Sequence, residues 1–298
     1  MDIFHLLGKE EDYREHGGGR ILSVESPRAD LVEEKVKELV DRDIQKHGRS
    51  TILGFKSPSN IKLPVTQSPA LFTYESTPLI WAACLGRTSL VEFFLSRGAD
   101  INATGTQKRT ALIWAADRGD LETTLCLIKH GADLEAKEST ALSTALNWAA
   151  WRQRPSIVKA LVEAGAVTDT PNIHGNTALD LGVQFVNDNS YEITQILLKA
   201  GAQLPQNWNW KVLVKTRGDF NESHFSLVTL LVEYGLPVDE TMFDTIRTLM
   251  GEEKANQLRA ASSHKVCSIY FQCFHFFFSG TDGNRSCKGE QPRNTKHC

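Results

Sequence analysis

Hydrophobic positions in the middle of the chain recur with a spacing that predicts pairs of short helices. In residues 77–109, Leu79, Ala82 and Ala83 follow helical spacing, and the small alanines allow a neighbouring helix to approach closely. Gly86 then supplies a sharp turn. A second helical stripe follows this turn and consists of Leu90, Val91, Phe94 and Leu95. The pattern predicts a helix–turn–helix unit.

This unit recurs along the chain, which indicates a repeat architecture. Each copy opens with a threonine whose hydroxyl can cap the first helix. These residues are Thr77, Thr110, Thr144 and Thr177, so the spacings are 33, 34 and 33 residues. The predicted units span residues 77–109, 110–143, 144–176 and 177–206, and the fourth carries a three-residue insertion before its closing Gly-Ala. A period of this length predicts units that bury a continuous core only by stacking.

The units resemble the ankyrin repeat, in which a Thr-Pro-Leu helix start, a glycine turn and a closing Gly-Ala precede a β-turn finger. The first unit reads TPLIWAACLGRTSLVEFFLSRGADINATGTQKR, and the resemblance covers about 130 of the 298 residues. It implies an all-α fold, a solenoid of stacked helix-turn-helix units with β-turn fingers.

The sequence departs from the ankyrin pattern at several positions. Where the family prefers His after the first-helix Leu, the units carry Ile80, Ile113, Asn147 and Asp180. Gln153 replaces the glycine between the two helices of the third unit. In the fourth unit Leu181-Gly182 replaces the Trp-Ala step, so we expect its first helix to be irregular.

The flanks of the repeat domain (residues 75–206) have weaker patterns. In the N-terminal extension, residues 1–74, an amphipathic helix is predicted over 30–48, and one interpretation is a degenerate N-terminal cap. Residues 207–253 are interpreted as a divergent fifth repeat followed by a C-terminal cap. Residues 254–298 carry seven basic and two acidic side chains and show no helical or strand period, so we expect disorder there.

Composition bounds the class of protein. The net charge of −3 favours neither nucleic acid nor an anionic membrane, so neither is expected as a partner. The longest apolar run, near Val266–Phe278, is too short to span a bilayer. No secretory signal is visible at the start of the chain, so we expect reduced cysteines and a cytoplasmic monomer, with the nucleus as an open alternative.

The sequence contains few patterns typical of catalysis or metal binding. His16-Gly17-Gly18-Gly19 resembles an esterase oxyanion loop, but no GxSxG accompanies it. Cys267, Cys273, His275, Cys287, His297 and Cys298 lack the short CxxC pairs that indicate zinc. No phosphate loop, HExxH or calcium loop is present. We therefore predict no catalytic residue, no metal, no cofactor and no enzyme activity.

Three tryptophans occupy one position of the first helix in successive units: Trp81, Trp114 and Trp148. Stacked units would place them side by side. One interpretation is packing between neighbouring repeats, and the other is contact with a partner, because Trp is over-represented in binding hot spots. Both interpretations hold together if one face of a tryptophan ring packs between repeats and the other face stays exposed.

The residues before the turn between the helices are stronger contact candidates, because they vary between units. They are Cys84-Leu85, Asp117-Arg118 and Trp151-Arg152. Finger-tip residues Gln107, Lys108, Lys137 and Glu138 are predicted to join the same surface. The alternative is that these side chains are solvated and vary freely. Asn102 in the first finger matches a site that is often hydroxylated in animal ankyrin proteins, but Asn is also a good turn former.

The resemblance implies a non-enzymatic protein–protein interaction module, an adaptor or scaffold that binds a protein partner through the concave ankyrin groove. The alternative is that the repeats target an enzymatic or toxin activity carried by a flank, as in a bacterial effector. A fragment of residues 70–250 that binds but loses the cellular effect would favour this alternative. Sequence alone names no partner, since fold and function are loosely tied.

Overall fold

The computed structural model describes residues 27–48, 53–54, 76–204 and 220–262. All regular structure in these ranges is helical. The helices are α1 Pro27–His47, α2 Pro78–Cys84, α3 Thr88–Ser96, α4 Ala111–Arg118, α5 Leu121–Lys129, α6 Ala145–Trp151, α7 Pro155–Glu163, α8 Ala178–Gly182, α9 Asp188–Lys199, α10 Glu222–Glu233 and α11 Glu240–Met250, with a 3-10 turn at Thr106–Lys108 and a further helical segment over 252–262.

Helices α2 to α9 form four consecutive helix–turn–helix units. The first helices α2, α4, α6 and α8 lie against one another in order, and so do the second helices α3, α5, α7 and α9. This arrangement confirms the prediction of an all-α solenoid. The chain divides into two compact bodies, residues 1–230 and 231–298, and the four units belong to the first.

Each unit begins where a threonine hydroxyl accepts a backbone N–H three residues ahead. In the first three units the capped N–H groups belong to Ile80, Ile113 and Asn147, at 3.3–3.4 Å. In the fourth unit Thr177 caps Asp180, and the Asp180 carboxylate accepts the Thr177 N–H in return. One of the positions that departs from the family's His therefore completes a capping box.

The core lies between the two layers of helices and keeps one register through the units. Equivalent second-helix side chains are completely buried, and these are Phe94, Leu127, Leu161 and Leu197. The paired alanines of the first three first helices, such as Ala82 and Ala83, have no exposed surface, so neighbouring helices approach closely. Burial of this continuous apolar layer is what requires several units to stack.

The turn of the third unit replaces glycine without losing its shape. Gln153 adopts φ of 57°, in the left-handed region where glycine stands in the first two units. Its side chain donates to the carbonyl of Gly182 at 2.9 Å and accepts from the Ser190 hydroxyl at 2.9 Å. These bonds to the fourth unit offset the conformational cost, which is on the order of 1 kcal/mol.

The first helix of the fourth unit, α8, has five residues and is the shortest of the four first helices. It ends at Gly182, where an added Cβ would lie 2.7 Å from a methyl carbon of Ile193 on α9. The Leu-Gly step that breaks the family pattern therefore allows the two helices of this unit to meet closely.

The fingers are tied to one another by a regular ladder. Twenty-five residues after the opening threonine of each of the first three units, a side-chain oxygen accepts a backbone N–H from the next finger. The pairs, acceptor first, are Asn102 with Asp133 at 2.9 Å, Glu135 with Val167 at 2.8 Å, and Asp169 with Gln203 at 3.0 Å. The ladder fixes the spacing of the fingers.

Helix α1 lies against the second helix of the first unit, α3. Its side chains Val36 and Val40 are fully buried. Arg97 donates through Nε and Nη2 to the two carboxylate oxygens of Asp41, each at 2.7 Å. The helix predicted over residues 30–48 is thus observed at Pro27–His47.

In the second body, α11 begins at a cap in which Asp239 accepts the Met242 N–H at 2.8 Å. Residues 252–262 are helical, and Ala255 and Leu258 on this segment are fully buried. This differs from the expectation of disorder from residue 254 onward. Residues 263–298, including the cysteines and histidines weighed as zinc ligands, lie outside the described residues, as does His16 with its glycines.

Candidate partner-binding surface

The three repeated tryptophans occupy equivalent positions on the adjacent first helices α2, α4 and α6, and they differ in exposure. Trp81 is 1% exposed and Trp114 is 5% exposed, whereas Trp148 is partly exposed. The first two are buried, so the interpretation of packing between repeats holds for them, and the prediction that these two rings contact a partner directly is wrong. Only the third presents ring surface to the outside.

Arg109 lies between the second and third of these tryptophans, although it was not among the sequence candidates. Its guanidinium carbon lies 4.6 Å from the ring centroid of Trp114 and 4.1 Å from that of Trp148, so the cation sits between two aromatic faces. The side chain is buried. A signal was available in the sequence, because the other units carry Ser76, Ser143 and Asn176 at this position.

Asp117 joins two arginines from different units. Its carboxylate accepts from Nη1 of Arg109 at 3.0 Å and from Nε of Arg152 at 2.5 Å. The side chains of Asp117 and Arg109 are 8% and 9% exposed, whereas that of Arg152 is 45% exposed. Asp117 therefore forms a buried ion pair with Arg109, the last residue of the first unit, and a partly exposed ion pair with Arg152 of the third unit.

The exposed Arg152 side chain adjoins a pair of aromatic rings. Trp148 and Trp151 meet edge to face, with ring centroids 5.3 Å apart and planes at 80°. The Arg152 guanidinium carbon lies 4.5 Å from the centroid of Trp151. Both tryptophans are partly exposed. The group of Arg109, Trp114, Asp117, Trp148, Trp151 and Arg152 is named the Trp–Arg cluster below.

Two buried donors of the Trp–Arg cluster have no hydrogen-bond partner within the described part of the chain: Nε of Arg109 and Nε1 of Trp148. A buried donor without an acceptor costs about 1–3 kcal/mol. The cluster is thus held by its cation–aromatic and ionic contacts rather than by hydrogen bonds of these two donors.

Family comparison agrees with this architecture. A family model described as ankyrin repeats in three copies matches the chain twice, over residues 32–138 and 79–172. The chain is an ankyrin repeat protein. A search of curated proteins gave no match. The first ankyrin match includes most of α1, which the structure places against the first unit.

The remaining first-helix candidates of the ankyrin stack differ in how far they are exposed. Leu85 and Arg118 are half-buried at the ends of α2 and α4. Cys84 is 1% exposed, and the prediction that it belongs to a contact surface is therefore wrong. Burial raises the pKa of its thiol to about 12, with smaller influences from the charges of Arg118, Asp117 and Arg109. The thiol is consequently protonated and unreactive at neutral pH.

The ankyrin fingers divide into exposed and buried polar residues. Lys108 and Lys137 are exposed, and Lys137 donates to the Pro171 carbonyl of the next finger at 3.3 Å. Glu138 is completely buried, so the prediction that it lies on the finger surface is wrong. Its carboxylate accepts the backbone N–H groups of Thr140, Ala141 and Ser143. A carboxylate can be buried when it closes a loop in this way.

Two exposed apolar residues on these fingers were not among the sequence candidates. Leu142 is 42% exposed and has φ of 52°, and Ile173 is 57% exposed. The Ile173 N–H donates to the carbonyl of Ala141 at 2.8 Å, so the two side chains lie on adjoining finger tips. A leucine in the left-handed region is uncommon.

Asn102 is exposed on the first ankyrin finger, and its side-chain oxygen accepts the Asp133 N–H. Its amide therefore has a structural role in the finger ladder. Within the described ranges, no cluster of His, Cys, Asp or Glu could hold a metal ion. None of the described helices is long and apolar enough to cross a membrane.

Proposed function

We propose that this ankyrin protein is a non-enzymatic adaptor or scaffold that binds a protein partner through the first-helix surface. That surface is defined by Leu85, Lys108, Asp117, Arg118, Lys137, Trp148, Trp151 and Arg152, and it corresponds to the family's concave groove. Ankyrin repeats are generally protein–protein interaction modules. Trp81 and Trp114 support this surface from beneath, since both are buried.

The exposed Trp148–Trp151 pair with Arg152 carries the proposal. Trp and Arg dominate binding hot spots because each combines a large contact area with specific donors. The equivalent tryptophans of the first two units, Trp81 and Trp114, are buried, whereas Trp148 is partly exposed and lies beside the partly exposed Trp151. A partner that covers these rings would remove apolar surface from water.

A rigid frame favours binding at this place. The ion pair between Asp117 and Arg152 links α4 to the end of α6, and the finger ladder fixes the loops beside them. A surface that is already ordered loses little conformational entropy when a partner binds.

The test is affinity capture with the full chain, followed by quantitative mass spectrometry and by titration of each captured protein. We expect the double variant Trp151→Ala with Arg152→Ala to weaken binding of the specific partner by at least about tenfold, the range typical of hot-spot truncation. Thermal unfolding of the variant is measured in parallel to show that it is folded.

Lys159→Ala provides the matched control. Lys159 lies on the second helix α7, its side chain is 62% exposed, and among the described residues its ion pair is a long one of 3.9 Å with Glu163. Partner binding should survive this change. Unchanged affinity of the double variant would disprove the assignment of the first-helix surface.

A further inference from the structure

We propose that the first-helix surface recognises an acidic protein segment, and that a carboxylate of this segment binds the terminal guanidinium nitrogens of Arg152. The inference rests on the proposed function and adds the chemical class of the partner. It is carried by the charge of the surface and by the geometry of Arg152.

The first-helix surface is strongly biased toward positive charge. Its cations are Lys108, Arg118, Lys137 and Arg152, and its carboxylate is Asp117. Asp117 is already engaged by Arg109 and Arg152, and the nearby finger residue Glu138 is buried and accepts backbone N–H groups. The surface therefore offers an approaching protein free positive charge and little free negative charge.

Other parts of the same units do not share this bias. Helix α5 carries Glu122 and Lys129, and helix α7 carries Lys159 and Glu163, so acidic and basic side chains occur together on these second helices. The finger carboxylates Asp100, Asp133, Glu135 and Asp169 each accept a backbone N–H. Attraction of an acidic segment is thus directed to the first-helix surface, and a cleft of one charge sign concentrates ligands of the opposite sign.

Arg152 is held in an orientation that leaves its outer nitrogens available. Nε donates to Asp117, and the guanidinium plane is supported by the ring of Trp151. Within the described residues, no protein acceptor binds Nη1 or Nη2 of this half-exposed side chain. An arginine fixed in this manner is preorganised for the bidentate hydrogen bonds that a carboxylate accepts.

The exposed cations of this surface oppose a basic segment. A Lys-rich segment would bring like charges beside Lys108, Arg118 and Arg152, which costs binding free energy, whereas an acidic segment is attracted to the same side chains.

The experiment uses the full chain and three fluorescein-labelled peptides of six Gly-X pairs, in which X is Glu, Gln or Lys. Fluorescence anisotropy is recorded at about 0.05 M and 0.25 M NaCl, on either side of the ~10 Å screening length reached at 0.1 M. We expect the Glu peptide to bind about tenfold more tightly than the Gln peptide, the Lys peptide not to bind, and added salt to weaken the Glu peptide.

Arg152→Gln and Lys159→Gln form a matched pair, because each removes one exposed positive charge. The first should weaken the Glu peptide about tenfold, the size expected for losing hydrogen bonds to a charged group, and the second should leave affinity unchanged. Thermal unfolding checks that both variants are folded.

Several outcomes overturn this inference. Equal binding of the Glu and Gln peptides, absence of Glu-peptide binding, or equal losses in the two variants would each exclude specific recognition of a carboxylate at Arg152. The proposed function would survive these results if the Trp151→Ala with Arg152→Ala variant still lost its captured protein partner. If that variant kept its partner, the proposed function itself would be wrong.

Discussion

At the scale of single residues, Asp117 shows how one carboxylate can serve both stability and recognition. It neutralises the buried Arg109 and orients the exposed Arg152. The two ion pairs differ in solvent exposure, so their energetic worth should differ. Removing one partner of a buried pair leaves an uncompensated charge, while an exposed pair contributes little.

Asp117→Asn should lower the free energy of unfolding by about 3 kcal/mol, because the Arg109 guanidinium then remains buried without a carboxylate. Arg152→Gln should lower the free energy of unfolding by less than about 1 kcal/mol, since the ion pair of Arg152 with Asp117 is partly exposed and screened by solvent. Urea denaturation of both variants and the unmodified protein measures the difference. Equal losses of unfolding free energy in the two variants would show that the buried and the exposed ion pair contribute alike.

At the scale of elements, α1 illustrates how a helix outside the regular period joins the stack. It buries Val36 and Val40 and pairs Asp41 with Arg97 of the first unit. The hydrogen bond from Arg97 lowers the pKa of Asp41 below its usual value of 3.8, partly opposed by burial. The deprotonated carboxylate is thus favoured in the folded protein.

The sign of this pKa change predicts a pH dependence. A carboxyl group with a lowered pKa in the folded state stabilises the fold above its unfolded pKa, and this contribution is lost as the pH falls through the lowered value. We expect Asp41→Asn to reduce the melting temperature at pH 6, and this difference to shrink below about pH 4.

Melting curves of the two proteins between pH 3 and 7 measure this effect. Asp43→Asn, on the same helix, is the control, because within the described residues Asp43 forms an ion pair with its exposed neighbour Arg42 and none with another unit. A difference for Asp41→Asn that stays constant over the whole pH range would rule out the ionised Asp41–Arg97 pair as its cause.

At the scale of the whole molecule, the stack is a one-dimensional arrangement in which each unit touches its neighbours. Apolar layers run between consecutive first helices and consecutive second helices, so a unit that opens exposes the next one. Buried cysteines in the first and second units, Cys84 and Cys126, report on this coupling.

Iodoacetamide labelling at pH 8 in increasing urea, read peptide by peptide, should show both thiols protected in the native protein. Burial raises the pKa of Cys84 to about 12 and also raises that of Cys126, so little thiolate exists while the units remain folded. If the units unfold together, both become labelled at the same urea concentration. Labelling of Cys84 well before Cys126 would instead indicate that the first unit opens alone.

The sequence predicted the parts of the fold that depend on local chemistry. Thr77 and its equivalents mark helix starts because a hydroxyl next to a helix satisfies an N–H within three residues. The spacing of buried positions such as Phe94 and Leu127 follows from helical periodicity. The predicted contact residues stay candidates, and the structure narrows them to those with exposed surface.

What only the tertiary structure decided depends on contacts between residues about one repeat apart. The sequence contains Arg109 and Glu138 but does not reveal that the first lies between two tryptophans and that the second closes its own finger. Periodicity identifies which side chains share a helix face, whereas their exposure and ionic partners depend on where the neighbouring unit places its atoms. The sequence by itself therefore determined the repeats, and the stacking determined which of their side chains remain available to a partner.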